Sequence, residues 1–318
     1  MKVAIIGSGL IGRAWGICFA RGGHEVALFN RTTEGAYAAI SFIEAVLPEL
    51  ERRDLLNGST SAEVLGRMRV AETMQDALQD ADFVQENVAE NVDIKIAVYE
   101  EMERYARPDC IFGSSTSGIV PSKFTAGLKH RERCVVTHPL NPPYIIPAVD
   151  LVPSPWTSDE VMERTSEFLK SCGQSPIHMR KEDPGFLTIR LQGAIYHEAF
   201  RLVAEGLAAP EDVDICIRDG LALRWSFIGP FETADLNAPG GIRDFVERYG
   251  QLYRDLYPQN GPTPWEGALM DEVEQARREK LPLADQPDRQ IWRDLRLIAL
   301  AEHKRTQNRI DAEAANEN

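Results

Sequence analysis

At 318 residues, 43% hydrophobic and 26% charged, the chain is long enough to bury more than one core and reads as a globular protein of two domains. Its net charge of -14 at pH 7 excludes a nucleic-acid surface, because phosphate contacts need clustered Lys and Arg that this sequence lacks. No apolar run approaches membrane-spanning length and no basic leader precedes the first strand, so neither a membrane nor a nucleic acid is an expected partner, and the expected setting is the cytoplasm.

Residues 3–6 form a short, β-branched, continuously apolar run of the kind buried in a parallel sheet. They lead into Gly7-Ser8-Gly9-Leu10-Ile11-Gly12 and a helical pattern. In such a turn Gly7 permits the tight bend, Gly9 lets the backbone approach a pyrophosphate, and Gly12 lets the helix pack on the strand. The helix-start amides, around Leu10 and Ile11, face the phosphate charge. Gly22-Gly23 closes the helix and "HEVALFN" supplies a second strand ending at Asn30. Motif and βαβ context together predict a dinucleotide site. The residue ending the second strand of such a unit is ordinarily Asp or Glu, which bonds a ribose 2′-hydroxyl and repels a 2′-phosphate. Here Asn30-Arg31 removes that repulsion and adds a cation, so the cofactor is NAD or NADP, with NADP use suspected from this pair. A solvated turn is the competing reading of the same residues.

The periodicity of Ala39, Phe42, Val46 and Leu50 predicts a helix, and another starts near Ser61; both read as scaffold. A strand at residues 83–85 precedes a helix starting near Asn91, which sets Glu90 and Lys95 at a strand end, where cofactors gather in doubly wound sheets. A strand at 110–112 then ends in Ser114-Ser115-Thr116-Ser117. Four hydroxyls are costly in a core but useful against a polar ligand. A strand at 134–136 is followed by His138, in a loop braced by Pro139, Pro142, Pro143 and Pro147. Asp150 lies between Val149 and Leu151 on an apolar stretch. A buried carboxylate needs a partner, and an imidazole held by it becomes a general base. No further His or carboxylate sits at metal-ligand spacing, so no metal is expected. The five cysteines, Cys18, Cys110, Cys134, Cys172 and Cys216, lack CxxC pairing and are expected to be buried thiols.

The glycine motif, "SSTSGIVPSK", "HPLNPPYIIPAVDLVP" and "RLQGAIYHEAFRLVAEGL" resemble the 3-hydroxyacyl-CoA dehydrogenase superfamily, and within it the λ-crystallin and L-gulonate 3-dehydrogenase branch, over nearly the whole chain. The resemblance implies an α/β fold: an N-terminal Rossmann-type doubly wound sheet over residues 1–183 and an all-α C-terminal domain over 184–318 that serves substrate binding and homodimerisation. It implies NAD(P)-linked oxidation of a 3-hydroxyl. It places Ser117 and His138 on the substrate oxygen, has Asp150 orient the imidazole, sets Asn141 beside nicotinamide and substrate, and aligns Glu90, Lys95 and Ser115 with residues at the cofactor. Arg224 aligns with an arginine expected to grip the substrate carboxylate.

Two positions depart from the family pattern. Asp150 stands where the family has Glu, one methylene longer, and Ile189 stands where an Asn hydrogen-bonds the reacting oxygen; an apolar Ile189 instead widens the substrate wall. A gulonate-type aldonate is the first substrate reading, with a 3-hydroxyacyl-CoA or a diketo ester as alternatives. A non-catalytic, crystallin-like dinucleotide-binding protein is the reading from another class. From Gly185, apolar positions at Phe186, Ile189, Gly193, Tyr196, Phe200, Val203 and Leu207 predict a long buried helix. Further helices are expected from Pro210, over about 242–256 and over about 290–303, with an unstructured tail from about 307.

Overall fold

Strand β1 (Lys2–Ile6) is apolar from Val3 onward, which suits a strand covered on both faces, and it pairs in parallel with β2 (Glu25–Phe29) on one side. The computed structural model describes residues 1–256, 267–289 and scattered positions between 292 and 313. The chain divides into two units, Met1–Tyr196 and His197–Asn318; the expected boundary at 183/184 falls just before a helix that spans this division.

The first unit is an eight-stranded sheet completed by β3 (Met68–Val70), β4 (Phe83–Glu86), β5 (Ile111–Ser114), β6 (Cys134–Pro139), β7 (Ala148–Pro153) and β8 (Ser175–His178). The strand order is β3-β2-β1-β4-β5-β6-β7-β8. All neighbours run parallel except β6 and β7, which are antiparallel with His138 opposite Asp150. The order reverses between β1 and β4, and in such sheets ligands bind at the strand C-termini beside that switch point.

Helices α1 (Leu10–Arg21), α2 (Thr33–Arg52), α3 (Ser61–Gly66), α4 (Met74–Leu78), α5 (Val92–Tyr105), α6 (Ser122–Thr125) and α7 (Asp159–Ser171) surround the sheet. In α2 the buried stripe is Ala36, Ala39, Ile43, Leu47 and Leu50, one position beyond the predicted Phe42 and Val46, which lie half-buried at its margin. One core joins Trp15, Phe19, Ile43, Phe83 and Phe168; the other joins Tyr99, Met102, Phe112 and Phe124. Trp15 stacks on Phe19 at 5.0 Å between ring centres.

Beyond it come α8 (Phe186–Ala204), α9 (Pro210–Ile215), a π-helical stretch over Cys216–Leu221, α10 (Ala222–Trp225), α11 (Pro230–Leu236), α12 (Gly241–Leu256) and α13 (Gly267–Lys280). Among the described residues of the second unit, Ile228, Leu236 and Leu281 form a small core.

Four expectations need correction. His138 lies inside β6, not in the loop after it, because the chain reverses over Leu140 to Pro147, too short for a crossover helix, and β7 pairs straight back. The predicted α8 forms, but of its apolar stripe only Phe186 is buried; Tyr196 and Phe200 are 55% and 78% exposed. Helical period reports an apolar face, and nothing in one chain's described residues covers this one. Cys216 is exposed, whereas the other four cysteines are buried, and burial pushes the Cys18, Cys110 and Cys172 thiols up to about 12. The tail expected to be unstructured from about 307 is helical at its described positions, 307, 309, 310 and 313; the helix expected over 290–303 lies largely outside the described residues, and the positions that are described there, 292, 296, 299, 300 and 303, are helical.

Candidate active site

The glycine turn joins β1 to α1. Gly7 has φ +90°, and a Cβ there would meet the carbonyl oxygen of Asn87 at 2.8 Å, so this bend excludes side chains. A Cβ on Gly12 would sit 1.9 Å from the Gly7 oxygen. Gly9, by contrast, faces open space, with nothing within 4 Å of where its Cβ would be. The ends of α2, α5 and α7 are capped by Thr32, Asn91 and Ser158 side chains, but the N-cap of α1, Gly9, makes no side-chain bond. The first-turn amides, at Leu10, Ile11 and Gly12, therefore keep no internal acceptor, and an open cradle of N–H groups beside a helix end suits a pyrophosphate. The residues present fit a dinucleotide.

At the end of β2, Asn30 accepts a bond from its neighbour, the Arg31 amide, at 2.9 Å, and the Arg31 side chain is exposed. Ser8 ties the glycine turn to the start of α2 by donating to the Gly35 carbonyl at 3.3 Å.

At the end of β4 lies a buried ion pair. Lys95 Nζ donates to both oxygens of Glu86, at 2.8 and 3.0 Å, and both side chains are essentially inaccessible. The amide of Val88 and the Ser114 hydroxyl also bond Glu86, at 2.7 and 2.6 Å, so every lone-pair direction of the carboxylate is used. A buried charge is tolerable only when matched this fully. Lys95 is thus a structural cation rather than one offered to a cofactor.

Glu90, expected at the cofactor, also shapes the loop after β5. Its Oε1 accepts from Thr116 Oγ1 at 2.6 Å and from the amides of Ser117 and Gly118 at 3.0 and 3.2 Å. Ser117 stands exposed on that loop, its hydroxyl unpartnered among the described residues. Ser115 is different: its hydroxyl accepts from Trp15 and Gln85 and donates to Asn87, which leaves no valence for the cofactor contact expected of it.

His138 is 6% exposed and Asp150 wholly buried, with Nδ1 and Oδ2 3.1 Å apart. The carboxylate only accepts, so Nδ1 is the donor, and in the neutral imidazole this leaves the Nε2 lone pair free. Thr188 completes the Asp150 shell, its hydroxyl at 2.9 Å from Oδ1 and its amide at 3.3 Å from Oδ2. Phe186 packs beside the imidazole at 5.7 Å between ring centres and has φ +49°, a strained conformation for a bulky residue costing roughly 1–3 kcal/mol. The reversing loop is pinned by Arg21 on the Tyr144 carbonyl at 2.7 Å and Gln174 on the Pro143 carbonyl at 3.2 Å, and presents Asn141 to solvent.

The first unit thus brings Gly7, Gly9, Gly12, Asn30, Glu90, Ser117, His138, Asn141 and Asp150 to the C-terminal edge of one sheet. Ile189 follows Thr188 on α8 and is 36% exposed. Arg224 belongs to the second unit, where it lines a cavity of about 630 Å³ with Trp225, Phe231, Thr233 and Phe245; its Nε has no hydrogen-bond partner among the described residues. Sequence reasoning missed Gln85, Glu86, Phe186 and Thr188. Only Glu86 left a signal, a charge at the end of a short apolar strand. Among the described residues no three His, Cys, Asp or Glu side chains are arranged to hold a metal ion, and no helix is long and apolar enough to cross a membrane.

The profile of the NAD binding domain of 3-hydroxyacyl-CoA dehydrogenase matches residues 2–183, and that of the C-terminal domain of 3-hydroxyacyl-CoA dehydrogenase matches 185–280. The chain is 39% identical to the lambda-crystallin homolog of Mus musculus over 305 residues, 94% of this chain and 95% of that one. It is 37% identical to L-carnitine dehydrogenase of Pseudomonas putida over 248 residues, 78% and 76% of the two chains. Among solved structures it resembles 5-formyl-3-hydroxy-2-methylpyridine 4-carboxylic acid 5-dehydrogenase, an NAD+-dependent dismutase, with TM-score 0.72 and 27% identity over 89% of this chain and 96% of that one.

Removing one half of the buried pair tests its energetics. Lys95→Met, which strands Glu86 in the core, is expected to destabilise the fold by about 3–5 kcal/mol in urea unfolding, with Lys95→Met/Glu86→Gln recovering most of it. A single variant as stable as the wild type would show that the pair carries no such load.

Proposed function

This chain belongs to the 3-hydroxyacyl-CoA dehydrogenase family, and from that premise we propose that it interconverts a small 3-hydroxy acid and its 3-keto form with His138 as the proton-transferring group. It is an NAD-dependent oxidoreductase acting on a CH–OH group. The observation that carries the reading is the His138–Asp150 pair, at the same sheet edge as the open glycine cradle.

In the proposed mechanism the substrate hydroxyl lies within reach of His138 Nε2 and of the Ser117 hydroxyl. His138 accepts the hydroxyl proton as the carbinol carbon loses hydride, and Asp150 stabilises the imidazolium so formed. The nicotinamide, when bound, supplies the hydride acceptor at its C4. Thr188 fixes the Asp150 oxygens, and Phe186 limits the swing of the imidazole. In the reverse direction the imidazolium protonates the ketone oxygen as hydride arrives. Ser117 takes over part of the oxygen-binding role that the family gives to the Asn replaced here by Ile189.

For the substrate, an aldonate-like hydroxy acid is the leading reading. L-carnitine, which a relative's name gives as its substrate, is itself a small 3-hydroxy carboxylate. Arg224, by resemblance, would take the carboxylate. The Asn30-Arg31 pair supports acceptance of NADP beside NAD, since no carboxylate ends β2 and the Arg31 side chain has no ion-pair partner among the described residues. The exposed apolar stripe of α8, including Phe200, supports a homodimer.

His138→Ala is expected to lower kcat by about 10²–10⁴-fold against aldonates, short hydroxy acids and hydroxyacyl-CoAs, read as NAD(P)H absorbance, while NAD affinity stays within about twofold. Retained turnover removes His138 from the role. Asn30→Asp/Arg31→Ile is expected to move the kcat/KM preference toward NAD, and an unchanged ratio refutes the cofactor argument. Sedimentation equilibrium should give twice the mass of one chain for the wild type and one chain's mass for Phe200→Glu; a monomeric wild type contradicts the dimer.

A further inference from the structure

Gln85 sits on β4 opposite Gly113 of β5, with no exposure at all. A primary amide in such a place is costly unless its polar atoms are matched. Its Nε2 donates to Ser115 Oγ at 2.7 Å and, more weakly, to the Thr137 carbonyl at 3.4 Å, and its Oε1 accepts from Thr137 Oγ1 at 2.8 Å. Thr137 is on β6, two strands away from β4, so the side chain must cross β5 to reach it.

The crossing point is Gly113. A Cβ there would lie 2.7 Å from Thr137 Oγ1, 2.8 Å from the Phe83 ring and 3.0 Å from Gln85 Oε1. Only a glycine leaves room for the amide to lie over the strand. On its other side the amide meets Ser115, whose hydroxyl also accepts from Trp15 Nε1 of α1 at 3.0 Å and donates to Asn87 Oδ1 at 2.8 Å. Asn87 closes the circuit by donating to the Gln85 carbonyl at 2.8 Å. One connected set of hydrogen bonds thereby joins the helix that follows the glycine turn, the ends of β4 and β5, and the residue immediately before His138.

We propose that Gln85 is a positioning residue: it fixes the end of β6, and with it the His138 imidazole, relative to the loop that carries Ser117 and to the helix of the dinucleotide motif. The proposal rests on the reading of His138 given above. Without the crossbar, β6 is held on this side only by its ladder to β5, which covers Cys134 to Val136 and stops short of His138. The imidazole then sits less closely against Asp150, the charged group bonded to it among the described residues, and the imidazolium loses stabilisation.

Gln85→Met keeps the length and shape of the side chain and removes all three bonds. In protein carrying ¹³C-labelled histidine, with the His138 resonance assigned from its absence in His138→Gln, the imidazole of the variant is expected to titrate lower by about half a pH unit or more. With a substrate in hand, kcat is expected to fall about tenfold while KM and NAD affinity stay within about threefold. An imidazole titration identical to that of the wild type overturns the proposal, as does a loss of NAD affinity as large as the loss of kcat, which would mark general loosening. Should Gln85→Met fail to fold, Thr137→Val removes a single bond and is read the same way, with the same shift in titration for or against. The titration needs no substrate, so it judges Gln85 even where His138→Ala retains turnover and the reading of His138 itself falls.

Discussion

The antiparallel step from β6 to β7 governs the rest of the site. In a sheet whose other ladders are parallel, this one reversal sets His138 directly opposite Asp150, at the cross-strand separation of about 4.5–5.5 Å at which facing side chains bond. A crossover helix in that place would have carried the acid to a different strand position. The short proline loop forbids the helix, and Arg21 and Gln174 hold the loop by its carbonyls. The geometry also answers the question raised by the acid's length. Asp150 reaches the imidazole because the backbones are paired face to face, and Thr188 adds two further donors, one to each carboxylate oxygen.

The floor of the site is polar yet buried, and it is stable only through complete pairing. Buried Glu86 accepts from an ammonium, an amide and a hydroxyl; half-buried Ser115 exercises every valence it has; above them exposed Glu90 gathers two amides and a hydroxyl on one oxygen. Such networks are costly when incomplete and rigid when complete. Ser117 and Asn141, the residues proposed to meet the ligand, stand exposed at the rim of this rigid floor. The side chains below them hold the loops in place.

Much of this architecture was legible beforehand. Gly7, Gly9 and Gly12 announce themselves because the turn they make has no tolerance for side chains, and the helix-strand alternation that follows needs only local periodicity. The pairing of His138 with Asp150 could be inferred because a carboxylate among aliphatics demands a partner. What could not be read was anything whose meaning depends on a distant strand. Gln85 looks like an ordinary strand residue until β6 is placed beside β5. Lys95 looks like a cation set at the strand end where a cofactor would lie until Glu86 is found beneath it. Ser115 and Ser117 are two residues apart and chemically alike, yet the hydroxyl of one is fully hydrogen-bonded and that of the other is open. The face of α8 was misread for a related reason: periodicity says that a surface is apolar, not what covers it.

Phe186 shows how the same economy extends to the backbone. Gly185 and Phe186 both adopt positive φ, which is natural for the first and unfavourable for the second. The conformation lets α8 begin with Phe186 fully buried against the imidazole while Thr188, two residues on, turns its hydroxyl and amide to Asp150. An ordinary helical start would trade one of these contacts for the other. The strain is therefore the cost of having one helix end serve both members of the pair, apolar wall to the base and hydrogen-bond donor to the acid. The two roles are joined in three consecutive residues of chain.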